Sequence, residues 1–118
     1  MAITTVILKN SDVPSMNILL RMHWTKRAKM LEQIQWKIRS QTVSRHPGKV
    51  RIVFHRFAVK LMDWDNYAGA FKFIGDALHG NKIIVDDKPA IVVEFIPKQT
   101  QVDTLKQQKI LVTIEDII

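Results

Sequence analysis

Residues 49 to 61, Lys-Val-Arg-Ile-Val-Phe-His-Arg-Phe-Ala-Val-Lys-Leu, are strand-forming and carry apolar side chains at both parities, which constrains the fold more than any other stretch. Val53, Phe57, Val59 and Leu61 share one parity, and Ile52, Phe54 and Ala58 share the other. Alternate residues of a strand face opposite ways, so this run is expected at the centre of a sheet covered on each side. The turn Arg45-His46-Pro47-Gly48 precedes it. Asp63 continues the first parity and Asp65 lies two residues on, so in extended chain both carboxylates project to one side where the strand leaves the sheet. A rigid strand end is a good mount for ligands.

A helix is expected from about Asn66 to His79, with Asp65 or Asn66 as its N-cap. Tyr67, Phe71, Ile74 and Leu78 make an apolar stripe, while Asp65, Gly69, Lys72 and Asp76 repeat the same spacing on the opposite side. His79-Gly80-Asn81 stops the helix through a left-handed cap. The short apolar run Ile83 to Val85 then leads into Asp86 and Asp87. Adjacent acids on a strand point to opposite faces, so one of that pair can join Asp63 and Asp65 directly.

The remaining elements follow from the same rules. Residues 2 to 9 read as a first strand, and Pro14-Ser15-Met16-Asn17 as an ordered turn. Trp24, Ala28, Leu31, Ile34 and Ile38 mark an amphipathic helix over about 24 to 40. Residues 90 to 96 and 109 to 114 are two further strands, separated by a polar segment, 97 to 108, expected to be a long mobile loop. The order strand, helix, strand, helix, strand, strand makes residues 1–118 one small α+β domain with a mixed sheet and two main helices.

Charge narrows the function. The net charge is +7, and it is segregated: from Arg21 to Lys60 there are eleven Lys and Arg against one acid, Glu32. A basic segment beside an acidic cluster suits a protein that grips a polyanion with one part and holds divalent cations with another. Lys26, Arg27, Lys29, Lys37 and Arg39 line the polar positions of the 24–40 helix, although a merely solvated helix face would look the same. His23 and His46 read as surface histidines. Without cysteine there is no disulfide framework and no thiolate ligand, leaving oxygen and imidazole donors for any metal. No apolar window is long enough to cross a bilayer and no leader-like segment is visible, so a cytoplasmic protein is expected.

Phosphodiester cleavage assisted by a hard cation needs oxygen ligands and a positive group near the developing charge. Asp63, Asp65 and one of Asp86 or Asp87 can supply the ligands, and Lys72 the charge. Asp76, one turn after Lys72, reads as its intrahelical ion-pair partner. No Gly-x-Ser-x-Gly element, Gly-rich phosphate loop or histidine ligand spacing competes.

The pattern Asp63-x-Asp65-Asn66, then Lys72, then Asp76-Ala77-Leu78, then a hydrophobic residue and Asp86-Asp87 resembles the RusA family of Holliday junction resolvases, particularly its phage-type members. Pro14-Ser15-x-Asn17 resembles that family's opening motif, so the likeness spans most of the chain. It implies a small α+β homodimer that cuts four-way DNA junctions symmetrically with magnesium, for which manganese can substitute, and with no organic cofactor and no membrane. Carried over, the catalytic residues are Asp63, Asp65, Lys72 and Asp87, the metal ligands Asp63, Asp65, Asp86 and Asp87, and the candidate DNA contacts Asn17, Arg21, Lys26, Arg27, Lys29 and Lys60. One departure stands out. In the best-known member the lysine follows the asparagine at three residues, whereas here Gly69 holds that place and Lys72 lies about one helical turn further on, nearly on the same face. Met62 also stands where a basic residue often precedes the first acid. The departures bear on which branched DNA is preferred. A nuclease of the same fold acting on flaps, or a DNA-binding module without catalysis, are the alternatives.

Overall fold

The computed structural model describes residues 2–117. Strands β1 (Ile3–Leu8), β2 (Val50–Ala58), β3 (Val92–Gln101) and β4 (Lys109–Asp116) form one mixed sheet in the order β1-β4-β2-β3. β4 runs antiparallel to β1 and β2, whereas β2 and β3 are parallel. Four helices accompany the sheet: α1 (Met16–Arg21), α2 (Trp24–Gln41), α3 (Trp64–Gly69) and α4 (Phe71–Gly80). The expected α+β domain with a mixed sheet is therefore present, and α2 and α4 are its two main helices. A parallel pair needs a crossover, and α3 and α4 make the one between β2 and β3.

The core lies on one side of the sheet. Val6 and Leu8 of β1, Ile52 and Phe54 of β2, and Ile110, Val112 and Ile114 of β4 are buried with Ile34 and Ile38 of α2 and Ile74, Ala77 and Leu78 of α4. On the other side Val53, Phe57 and Leu111 are only half-buried, and Ile3 and Ile7 are 62% and 56% exposed. β2 is central, but the expectation that it is covered on each side fails. The helices form a single layer, and the two-parity apolar pattern is shared between a core face and an open one.

Several local expectations are corrected. The 14–17 turn is the start of α1, which Ser15 caps by accepting from the Ile18 N–H. Trp24 begins α2 yet is 72% exposed, so the core stripe of that helix runs through Ile34 and Ile38. The single 66–79 helix is two, meeting at Ala70. At the break, Gly69 lies so close to Met16 that an added Cβ would overlap Met16 Cε and Cβ, so α1 packs where only glycine leaves room. The left-handed residue after α4 is Lys82 (φ 62°), neither Gly80 nor Asn81. Its N–H donates to His79 O and that of Ile83 to Leu78 O, the paired bonds of a Schellman cap. Ile83 to Val85 is no strand, and only Ile84 forms an isolated bridge, with His46. His46 itself is buried, bonded to Thr4 Oγ1 (2.8 Å) and Asp116 Oδ1 (2.6 Å), instead of lying on the surface. Finally, the segment expected as a loop from 97 to 108 continues as strand to Gln101 and then forms a 3-10 turn at Leu105–Gln107. Pro97 is tolerated there because β3 is an edge strand.

Candidate metal and DNA site

β2 ends at Ala58, so Asp63 does not continue the strand and does not share an extended segment with Asp65; it heads α3, and its position is fixed from a distance. Gln99 of β3 clamps the preceding peptide: Met62 N–H donates to Gln99 Oε1 (2.9 Å) and Gln99 Nε2 donates to Met62 O (2.8 Å). The clamp exists because β3 runs past Pro97 and brings Gln99 level with Arg56. Asp63 occupies the N-cap position of α3 without a side-chain capping bond, and its carbonyl accepts from Tyr67 N–H at 2.9 Å. Neither Asp65 nor Asn66 is the cap that the sequence led one to expect. Asp65 lies in the first turn, where the helix dipole favours an anion. Asn66 Oδ1 instead accepts from Asn17 N–H (2.8 Å), tying α1 to α3. Tyr67 anchors the helix from beneath, stacking on Phe54 and donating its hydroxyl to Phe54 O, and burial pushes that hydroxyl's pKa well up.

Met16, Asn17, Asp63, Trp64, Asp65 and Asn66 line a cavity of about 370 Å³. Asp63 and Asp65 are exposed and form no ion pair among the described residues. Capping therefore accounts for neither carboxylate.

The second acidic group is built differently. Lys72 Nζ lies 2.9 Å from Asp87 Oδ2 and 3.1 Å from Asp76 Oδ1, the latter the expected i, i+4 pair. The 86–87 segment can reach α4 because Gly75 has no side chain: a Cβ there would be 3.2 Å from that of Asp87. Hydrogen bonds from Lys72 foremost hold the Asp87 carboxyl below its usual pKa, and those to Asp87 and Asp76 raise the lysine. Asp87 N–H donates to Asp86 Oδ1 (2.7 Å), and the two acids lie in irregular chain, not in a strand. The rule that only one could join a site, drawn from strand geometry, fails for that reason. His79, Asp86 and Asp87 each offer a ligand atom within 4.8 Å of the others, the one such trio among the described residues.

The predicted site residues therefore fall into two sets. Lys72, Asp86 and Asp87 meet, with His79 and Asp76 added; Asp63 and Asp65 stand in the neighbouring cavity and do not join that trio. Met16 lines both that cavity and the one holding Lys72 and Asp76, so the sets adjoin along one side of α1. The candidate DNA contacts Asn17, Arg21, Lys26, Arg27, Lys29 and Lys60 are all exposed, and the Arg27 guanidinium also donates to Leu19 O (2.7 Å), closing α1 onto α2. Three residues were missed. His79 has no histidine at ligand spacing, and its nearest acids in the direction of the chain, Asp86 and Asp87, lie seven and eight residues on, past the end of α4, so only the fold brings them together. Trp64, 55% exposed between the two free acids, and Arg56, half-buried with no acid partner among the described residues, carry no motif of their own in the sequence. Burial holds the Arg56 guanidinium below its ordinary pKa.

No helix among the described residues is long and apolar enough to cross a membrane. No protein-family model matches the chain, and no curated protein is significantly similar to it.

Proposed function

We propose that this chain is a divalent-cation-dependent endodeoxyribonuclease that resolves four-way DNA junctions as a RusA-like homodimer. The observation that carries the reading is the meeting of Lys72 and Asp87, fifteen residues apart, across the bare face of Gly75, beside the uncommitted carboxylates of Asp63 and Asp65. The donors are hard oxygens, which fit magnesium. Magnesium keeps several waters and is held through one or two carboxylates, so each acidic pair is sufficient for one ion without the four carboxylates touching. The carboxylates of the His79, Asp86 and Asp87 trio also suit manganese. When bound, the cation would polarise a phosphate oxygen and lower the pKa of a bound water. The chain's own residues do the rest. Lys72, released from Asp87 by an arriving phosphate or cation, places an ammonium against developing negative charge. The exposed Arg21, Lys26, Lys29 and Lys60 grip the backbone.

The same ion pair favours a second reading, a DNA-binding module without catalysis, because Lys72 is already committed to two carboxylates. Incubating the protein with a synthetic four-way junction, a flap and a linear duplex, with magnesium or with chelator, separates the readings. Paired symmetric nicks on the junction alone support the resolvase. Cleavage of flaps instead supports a relative of different substrate choice, and salt-sensitive binding without cleavage supports the inert module.

A further inference from the structure

A second cavity, of about 580 Å³, opens beside the acidic one and shares Asn66 with it. Its volume lies within the ~300–1,000 Å³ of small-molecule sites. Met22 after α1, Met30 of α2 and Met62 before α3 line it, with Val13, Pro14 and Ile18. Thioethers are polarisable and make favourable contacts with aromatic rings. The charged groups that line the cavity are of one sign, Lys26 and Arg56, and no carboxylate joins them. Lys26 is exposed and has no ion-pair partner among the described residues. Arg56 is half-buried, and both of its side-chain hydrogen bonds, to Lys60 O (3.0 Å) and Gln99 Oε1 (3.3 Å), use Nη1, so Nη2 has no partner among the described residues. A guanidinium partly withdrawn from water without a counter-ion gains from an arriving anion. Asn10 adds an acceptor to the wall. Its Nδ2 donates to Phe57 O (3.1 Å), which fixes the amide, and its buried Oδ1 accepts from no group among the described residues.

We infer that this cavity receives one unpaired nucleotide of the bound DNA, its base among the methionines and its phosphate on Lys26 and Arg56. Both halves of a nucleotide find a match there. The base offers π faces to the thioethers and N–H donors to the Asn10 amide oxygen, and the phosphate meets two cations with no carboxylate to oppose it. An anionic lipid would suit the apolar wall and the cations but bring no donor for Asn10. Because Asn66 belongs to both cavities, a nucleotide seated here leads the adjoining strand toward Asp63 and Asp65. Taking a base out of its stack costs least where the base is already unpaired, which a branch point supplies and a linear duplex does not. The cavity is then a device that selects branched DNA. The inference rests on the DNA-binding part of the proposed function and does not require cleavage.

Fluorescence of 2-aminopurine, which brightens when the base leaves its stack, tests the inference in the presence of chelator, with binding followed separately by anisotropy. Two four-way junctions carry the probe, one at the branch point and one deep in a paired arm. Wild-type protein is expected to brighten the first about threefold or more and to leave the second unchanged. Arg56→Gln should weaken junction binding about tenfold, with Arg56→Lys recovering most of the loss. Since Arg56 also braces Lys60 and Gln99, a second variant works from outside the core: Met22→Trp fills the cavity and should abolish the brightening while the junction still binds. A bound junction that stays dark overturns the inference. Brightening that survives in both Met22→Trp and Arg56→Gln overturns it too, because it marks simple opening of the junction. So does saturation by free deoxyadenosine monophosphate at micromolar concentration without DNA, which identifies a free nucleotide as the ligand. Failure to bind DNA sinks this inference and the proposed function together. Cleavage with magnesium but no brightening sinks the inference alone, and brightening without cleavage sinks the nuclease alone.

Discussion

The two acidic groups of this protein are opposites in construction. Asp86 and Asp87 lie in irregular chain bonded to one another and are partly neutralised, Asp87 by Lys72 and Asp86 by Lys88 at 3.8 Å. Asp63 and Asp65 have no ion-pair partner among the described residues and owe their place to contacts from far away, the Gln99 clamp and the Asn17 to Asn66 bond. Carboxylates that are gathered, exposed and unpaired retain their full attraction for a cation, whereas paired ones must first give up a partner. On the proposed function, the free pair would be the primary cation site, and the paired one would respond when a cation or phosphate competes for Lys72.

The largest expected effect tests the free pair. Asp65→Asn should lower magnesium-dependent junction cleavage by about a thousandfold, the scale of several kcal/mol of lost transition-state stabilisation. Junction binding should survive or tighten, since a charge that repels phosphate is gone. Cleavage at the normal rate would refute the assignment of Asp65. Next, Lys72→Ala should slow the single-turnover chemical step about ten- to a hundredfold while leaving binding nearly intact. It should also let the Asp87 carboxyl return toward its ordinary pKa of 3.8, as read by carbon NMR. A rate unchanged in this variant would reduce Lys72 to a structural ion pair.

The pH dependence of that ion pair follows in sign. Asp87 is depressed, so its contribution is present above the ordinary carboxylate pKa and is lost as pH falls through the lower folded value. Lys72 is raised, so its contribution is present below 10.5 and is lost as pH rises through the higher folded value. The bridge should therefore span neutral pH and persist below the normal carboxylate range. NMR chemical shifts of Lys72 that moved between pH 5 and 8 would contradict this. Smaller effects concern the mounting. Gly69→Ala forces Met16 aside and should cost ~1–3 kcal/mol in thermal or urea unfolding. Gln99→Ala removes two hydrogen bonds to Met62 and should cost ~1–2 kcal/mol, with a loss of cleavage smaller than that of Asp65→Asn.

Much of the fold was legible where local periodicity and burial agree. The ends of β1 and α2, the central place of β2 and the apolar stripe Tyr67, Ile74 and Leu78 are all in the alternation of side chains. The errors lie where a distant partner decides. Pro97 and the polar residues after it look like loop until β2 supplies a ladder for them, and Gly69 looks like one residue of a continuous helix until Met16 packs on it. The site was legible as a set of residue types, because acids, lysine and spacing are local facts. Its division into two groups was not.

Sequence by itself determined the inventory: carboxylates and a lysine at helical spacing, a basic segment before them, and a strand with apolar residues on both parities. Tertiary structure decided which of those groups are spent and which are free. An ion pair such as Lys72 with Asp87, or an uncovered sheet face, depends on how close separate elements approach. Here that closeness comes from two glycines, an edge strand and a single helical layer.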